Sequence, residues 1–415
     1  MMKKYDAYKD SEVKWIGEIP EHWEITPLKF CFKVLSGATP KSTELSYWED
    51  GNINWITPAD FKTEDRFISD GAKKITKEGF MSCSTTLIPS GSIIFSKRAP
   101  IGSVVINSNE VCTNQGCLSC IPKDDISSLF FYYIMSVSQK YFDMLGTGTT
   151  FNEISANVFK NVHLPVPPLS EQQAIASYLD AKTEKMDQMI AKTEKKIEYL
   201  GELKQSLITR AVTRGLNSNV PLKDSGVKWI GNVPKHWNIM RSRFLCSLKT
   251  GDKDTVNREE NGTYPFYVRS PKIERINSYT FDGEAVLMAG DGVGAGKVFH
   301  YVNEKFDYHQ RVYNFHNFKH VTVKYFFYYI RENFKYKIEE GGAKNTVDSV
   351  RKSMIQDFLV PIPPLSEQQQ IATYLDIKCS KIDYIIATQK KKIAYLQELK
   401  QSLITNVVTG KIKVS

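Results

Sequence analysis

Pro165-Val-Pro-Pro-Leu-Ser-Glu-Gln-Gln173 returns 196 residues later as Pro361-Ile-Pro-Pro-Leu-Ser-Glu-Gln-Gln369. The echo continues from Lys195-Lys-Ile-Glu-Tyr-Leu-Gly-Glu-Leu-Lys-Gln-Ser-Leu-Ile-Thr209 into Lys391–Thr405 at the same offset. A second pair, Asp10-Ser-Glu-Val-Lys-Trp-Ile-Gly-Glu-Ile-Pro-Glu-His-Trp23 and Asp224-Ser-Gly-Val-Lys-Trp-Ile-Gly-Asn-Val-Pro-Lys-His-Trp237, lies 214 residues apart. Repeats of this length are structural units that set the architecture. The offsets differ by 18 residues, which must be absorbed between the two repeated pieces. Each half is therefore a lead-in, a variable middle and a constant helix. Two diverged middles on a duplicated frame point to two different readings made from one body.

At 415 residues the chain exceeds one ordinary domain. Its 41% hydrophobic and 12% aromatic content supports packed cores and argues against wholesale disorder. Met1–Pro20 lacks the apolar core of a secretory signal, and no apolar run approaches the roughly 18 residues of a membrane span. Seven cysteines without a regular framework fit a reducing compartment, so a cytoplasmic protein is expected. The formal charge of +9 is unevenly spread: residues 26–160 carry 13 basic and 13 acidic side chains, residues 240–356 carry 19 and 14. A basic excess of that size is compatible with phosphate contacts but does not decide for nucleic acid.

The constant helices announce themselves. Pro-Pro-Leu ends any upstream helix, and Ser170 with Gln173, like Ser366 with Gln369, has capping-box spacing. Apolar residues then alternate at steps of four and three: Leu179, Met186, Ile190, Ile197, Leu200 and Leu207, with Thr183, Thr193 and Lys204 as polar members. The second copy gives Leu375, Ile382, Ile386, Ile393, Leu396 and Leu403, with Cys379, Gln389 and Lys400, in the same register. A heptad stripe over four repeats needs a partner. A helix from Ser170 to Arg210 spans about 60 Å, and the two equal stripes suit each other. The alternative is that each helix packs on its own domain. An antiparallel pairing gives the repeat a pseudo-two-fold axis, and Thr193/Gln389 and Lys204/Lys400 would fix its register at some cost in stability. The predicted fold is α+β, with two mixed α/β domains separated by two long antiparallel helices that form an intramolecular coiled coil. The boundaries are 1–163 for the first lead-in and middle, 164–217 for the central helix, 218–359 for the second lead-in and middle, and 360–415 for the last helix.

In the middles, Ser92–Ser96 with Gly102–Ile106 reads as a strand pair, and Glu284–Met288 with Lys297–Tyr301 repeats it. The aromatic runs Leu129–Ser136 and Val323–Arg331 have the helical spacing of core residues, although aromatic side chains also stack unpaired bases. Gly290–Lys297 superficially suggests a phosphate loop. Asp291 stands where a glycine is needed and Val298 where Ser or Thr is needed, so it reads as a glycine-rich hairpin turn. Gly146–Thr150 and Gly342–Thr346 form a second loop pair whose small residues suit either backbone and base-edge contact or an ordinary turn. Cys112, Cys117 and Cys120 have partial zinc-like spacing, but the matching stretch Tyr308–Phe315 carries no cysteine, which argues against a metal. His22-Trp23 and His236-Trp237 read as a packed structural corner.

Together these residues resemble the specificity (S) subunit of type I restriction–modification enzymes, over essentially the whole chain. The carriers are the paired Trp-Ile-Gly-x-x-Pro-x-His-Trp lead-ins and Pro-Leu-Ser-Glu-Gln-Gln helix starts; Ser36-Gly-Ala-Thr-Pro40, Asn114-Gln115 and Gly146–Thr150 look like landmarks of that family's recognition domains. The second middle departs from them, with Lys249-Thr-Gly-Asp252 and His309-Gln310 in those places. The resemblance implies that each middle is a target-recognition domain for one half of an asymmetric bipartite double-stranded DNA target. It further implies that the helices set the gap and dock two methyltransferase (M) subunits, with restriction/translocase (R) subunits joining. No methyltransferase Asn-Pro-Pro-Tyr or Asp-Pro-Pro-Tyr motif, Walker loop or nuclease carboxylate pair is legible, so the chain is expected to be non-catalytic and to bind no cofactor. S-adenosylmethionine, ATP and magnesium would then belong to the partners. By chemistry, the DNA contacts to test are Lys41, Lys97, Arg98 and Thr149 in the first half, and Lys253, Arg269, Lys297, Lys344 and Asn345 in the second. The competing readings are a protein-binding scaffold and a free-standing DNA enzyme.

Overall fold

A computed structural model describes residues 3–62, 65–98, 100–148, 152–340 and 349–414. By contacts the chain forms two compact units, Met1–Lys192 with Lys392–Ser415, and Thr193–Lys391. The division falls in the middle of both long helices, Leu169–Arg214 and Leu365–Val408. Packing therefore groups each variable middle with the start of its own helix and the end of the other. The linear boundaries at 163, 217 and 359 follow the order of elements instead.

In the first unit a five-stranded sheet runs in the order Phe32–Ser36, Cys117–Pro122, Ile93–Ser96, Val104–Asn107, Phe67–Ile68. Ile93–Ser96 and Val104–Asn107 pair antiparallel and are buried at every position, because both faces of the sheet are covered. The helix Ser128–Val137 lays Phe130, Phe131 and Ile134 on one face. Ile56, Ile88 and Val111 cover the other, around Ile68, Ile94 and Val105. The aromatic run is core, as its spacing predicts.

The second unit holds a six-stranded sheet in the order Ser247–Thr250, Val312–His316, Phe281–Ala289, Phe299–Tyr308, Tyr264–Tyr267, Ile273–Ile276. The expected strand pair is present as a longer hairpin, with Val286 opposite Tyr301. The helix Val323–Glu340 buries Tyr325, Phe326, Tyr329 and Phe334 against it.

Each helix begins earlier than its spacing predicts. The amides of Glu171 and Gln172 both donate to the carbonyl of Pro168, at 2.9 and 3.0 Å, and those of Glu367 and Gln368 do the same to Pro364. The helix starts at Leu169, so Ser170 lies inside the first turn and the expected capping box with Gln173 is not the start signal. Proline at the threshold supplies the first carbonyl and lacks the N–H that would go unsatisfied there.

Within each unit the two helices run antiparallel. Lys400 Nζ lies 2.6 and 2.7 Å from the carboxylate oxygens of Asp187 in the first unit. Lys204 Nζ lies 2.6 Å from both oxygens of Asp383 in the second. The seam positions Leu179, Leu375, Ile382, Leu396 and Leu403 are buried; Met186, Ile190, Ile197, Leu200, Leu207, Ile386 and Ile393 are half-buried. Leu403, Ile404, Val407 and Val408 share a core with Trp23, Phe130, Ile175 and Leu179. Their counterparts Ile208, Ala211 and Val212 share one with Trp237, Tyr325, Ile371 and Leu375.

Lys204 is only 18% exposed while Asp383 is 56% exposed, so the pair contributes little and the buried stem a good deal. Lys204→Leu is expected to raise the unfolding temperature of the second unit by about 2–4 °C, roughly the effect of 1 kcal/mol. A lower temperature by calorimetry would show that the ion pair outweighs the apolar gain.

Candidate nucleic-acid interface

The invariant part of each half is a joint built on two adjacent residues of the long helix. Glu171 Oε2 accepts from the Trp23 indole at 3.1 Å and meets His22 Nε2 at 2.9 Å. Glu367 repeats both contacts, at 3.1 and 2.9 Å, with Trp237 and His236. Tyr5 also donates to Glu171, and burial together with that carboxylate pushes its phenol pKa up. The next residue ties in the variable middle. Buried Gln172 accepts the amide of Ser127 and donates to Asp125 and Pro167 carbonyls. Gln368 does the same for Thr322, His320 and Pro363. The His-Trp corner is thus a packed one, and Glu171, its acceptor, is marked by no spacing along the chain.

Each sheet then presents a cluster of loops with one shared backbone pattern. In the first unit the Asn114 side chain accepts the amide of Gly116 at 2.9 Å, whose carbonyl accepts the amide of Lys97 at 3.0 Å. The carbonyl of Lys97 in turn accepts the amide of Ile154 at 3.0 Å. In the second unit His309 Nδ1 accepts the amide of Arg311 at 2.9 Å, Arg311 accepts Gly290 at 2.8 Å, and Gly290 accepts Val350 at 2.7 Å. His309-Gln310 therefore stands where Asn114-Gln115 stands. Both glutamines reach the preceding loop: Gln115 meets Thr39, and Gln310 donates to Asp254 at 2.7 Å. Gly37 and Gly251 allow that loop to approach, because a Cβ at Gly37 would collide with the carbonyl oxygens of Thr113 and Asn114, and one at Gly251 with that of Tyr308. The departing landmarks of the second middle are the same structural features in different letters.

The charges on this shared pattern are inverted. Lys97 Nζ lies 2.8 Å and Arg98 Nη1 3.6 Å from Glu153, a carboxylate on the facing loop. In the second unit the position of Arg98 is taken by Asp291, which lies 3.2 Å from Arg269 and 3.5 Å from Arg311. Lys253 lies 3.7 Å from Asp252, and its carbonyl accepts the amide of Gln310 at 2.7 Å. Beside these groups His309 is 2% exposed, and its Nε2 has no hydrogen-bond partner. Burial, then the nearby Arg269, holds its pKa below the ordinary histidine value, so the ring is neutral and Nδ1 is free to accept.

Lys97, Arg98, Lys253 and Arg269 thus converge on these loops, each beside a carboxylate. Lys41 and Lys297 are exposed. Thr149, Lys344 and Asn345 lie outside the described residues. Gln115, Gln310 and Arg311, absent from the sequence-based set, share the cluster. Gly290–Lys297 is a hairpin turn, with positive φ at Gly292 and Gly296 and Val293 95% exposed. Cys112, Cys117 and Cys120 are buried in strands, and burial raises the Cys112 thiol to about 11.

A family model described as the type I restriction modification DNA specificity domain matches residues 20–199 and 234–398. The chain belongs to this family. The specificity subunit of the MjaIX type I restriction enzyme of Methanocaldococcus jannaschii is 28% identical to it, covering 96% of this chain and 95% of that one. The Escherichia coli EcoDI specificity subunit is 30% identical over 44% of this chain and 40% of that one. Among solved structures, a chain from a study of complex assembly in a type I system superposes with a TM-score of 0.73 at 16% identity, covering 94% of this chain and 98% of that one. The HsdS subunit of Thermoanaerobacter tengcongensis gives 0.54, also at 16% identity, over 95% and 98%. The chain is a type I specificity subunit, the recognition component and not the catalytic one. Among the described residues no helix is long and apolar enough to cross a membrane.

The loop geometry carries a stability prediction. Gly251→Ala is expected to cost about 3 kcal/mol, the upper end of overpacking, whereas Gly201→Ala, with nothing within 4 Å of the new methyl, should stabilise by up to about 1 kcal/mol. Denaturant midpoints read both, and equal shifts would show that the Gly251 loop yields.

Proposed function

We propose that this specificity subunit reads an asymmetric two-part DNA sequence, one half with each loop cluster. The observation that carries the reading is the shared backbone pattern with different side chains and inverted charge. A common frame with exchanged side chains is what two readers of different sequences require, because main-chain bonds position while side chains specify. Each long helix begins in one unit and ends in the other. At 46 and 44 residues they run about 65–70 Å, a stiff element that sets the gap between half-sites. The repeated constant frame offers equivalent docking surfaces to two methyltransferase subunits, with restriction/translocase subunits joining that core. S-adenosylmethionine, ATP and magnesium are used by those partners, and this chain holds no cofactor. It works in the cytoplasm, on double-stranded DNA.

Genome-wide mapping of methylated adenine, with and without this gene, tests the proposal; an interrupted asymmetric motif should vanish with the gene. Persistence of the motif removes the proposal. Glu153→Gln frees Lys97 and should steepen the salt dependence of log K for DNA by about one. An unchanged slope would place Lys97 away from phosphate. A chain truncated after Gly215 keeps Ile208, Ala211 and Val212, the counterparts of Ile404, Val407 and Val408. It should pair with itself and direct methylation to a symmetric motif. A strictly monomeric half in the presence of methyltransferase counts against the helix pairing.

A further inference from the structure

We infer that Arg311 reads a guanine in the second half-site and that Arg98 does so in the first, one guanidinium being delivered to equivalent places from opposite sides of the same frame. The inference rests on the proposed DNA reading and deepens it.

Arg311 is pinned through its main chain and free at its tip. Its amide is held by His309 Nδ1 at 2.9 Å and its carbonyl by the Gly290 amide at 2.8 Å, while its side chain is 65% exposed. Asp291 takes one edge of the guanidinium at 3.5 Å. Arginine has five donors in a fixed plane, so with Nε beside Asp291 the four on its terminal nitrogens remain available as a fork. That is the geometry suited to the paired acceptors O6 and N7 of guanine in the major groove.

The equivalent residue in the first unit is Gly116, whose amide donates to Asn114 Oδ1 and whose carbonyl accepts from the Lys97 amide. It has no side chain. A Cβ built there would lie 3.1 Å from Pro58 Cγ and 3.2 Å from the Nε of Arg98, so the Arg98 side chain passes beside the place from which Arg311 starts in the other unit. The acid differs as well: Glu153 holds Arg98 and Asp291 holds Arg311, and Asp291 occupies the position of Arg98. His309 and Asn114 are positioning residues, each presenting one acceptor to the amide two residues on.

The test uses the whole subunit assembled with its methyltransferase partners, reading methylation across a library of targets randomised in both halves. Arg311→Ala should reduce discrimination at one guanine of the second half about ten- to a hundred-fold and leave the first half unchanged. Arg98→Ala should do the reverse. Arg311→Lys should lose discrimination as alanine does, because a point charge cannot make the paired contact. His309→Asn should retain selectivity, being the arrangement of the first half, while His309→Leu lowers it at the Arg311 position alone. The unaffected half in each variant controls for folding. Uniform weakening by Arg311→Ala with full rescue by lysine would make Arg311 a phosphate contact and overturn the inference. So would a second half without a G·C pair, or unchanged selectivity. Failure of the unaltered assembly to select any sequence removes the DNA reading itself, and this inference with it.

Discussion

The carboxylate of Glu171, with Glu367 in the second half, is the interaction on which the remaining structure depends. It accepts from a fully buried tryptophan indole and anchors the lead-in to the first turn of the long helix. An indole N–H buried without an acceptor would cost about 1–3 kcal/mol. One residue later Gln172 and Gln368 fasten the variable middle through three hydrogen bonds each. Consecutive side chains thus fix the entrance of the chain and the recognition domain to a common helix. Below the joint, Asp180 accepts from Tyr133 at 2.6 Å and Asp376 from Tyr328 at 2.7 Å. These bonds carry the same registration into the aromatic helix of each middle. The frame recurs almost letter for letter because a shift in any of these positions would displace a whole domain.

Most of the architecture was legible because the frame is written twice. Lead-in, helix and seam follow from repetition and heptad spacing, which are local signals. Ser170 has capping chemistry and so points to a start one residue late, whereas the carbonyl of Pro168 already receives the first amides and the helix begins at Leu169. The antiparallel pairing follows from the two equal stripes, but the part each helix end takes in the aromatic core of the other half does not. Trp23 and Val408 meet in one core across nearly the whole chain, and periodicity carries no information about such distant partners.

The loop clusters were half legible. Basic residue type singled out Lys97, Arg98, Lys253 and Arg269, and the structure gathers them. Their carboxylates could not be found: Glu153 and Asp291 approach through loop pairing, not through spacing along the chain. Arg311 is hidden in the sequence for a different reason. Compared letter by letter, His309-Gln310-Arg311 looks like a departure from Asn114-Gln115-Gly116, although a ring nitrogen and an amide oxygen are equivalent acceptors. Only the hydrogen bonds disclose that equivalence, and with it the replacement of Arg98 by Asp291 and of Gly116 by Arg311.

The shared helix ends also bear on how the protein is made. The second unit is one continuous stretch, Thr193–Lys391, and its core closes when that stretch has emerged. The first unit lacks Leu403, Ile404, Val407 and Val408 until roughly 200 further residues have been added. At about 5–20 residues per second that is a delay of roughly ten to forty seconds. Throughout it the apolar surface around Trp23, Phe130 and Leu179 stands open on the ribosome. The earlier-synthesised domain is therefore the later to mature, and a chaperone would find it the more exposed of the two.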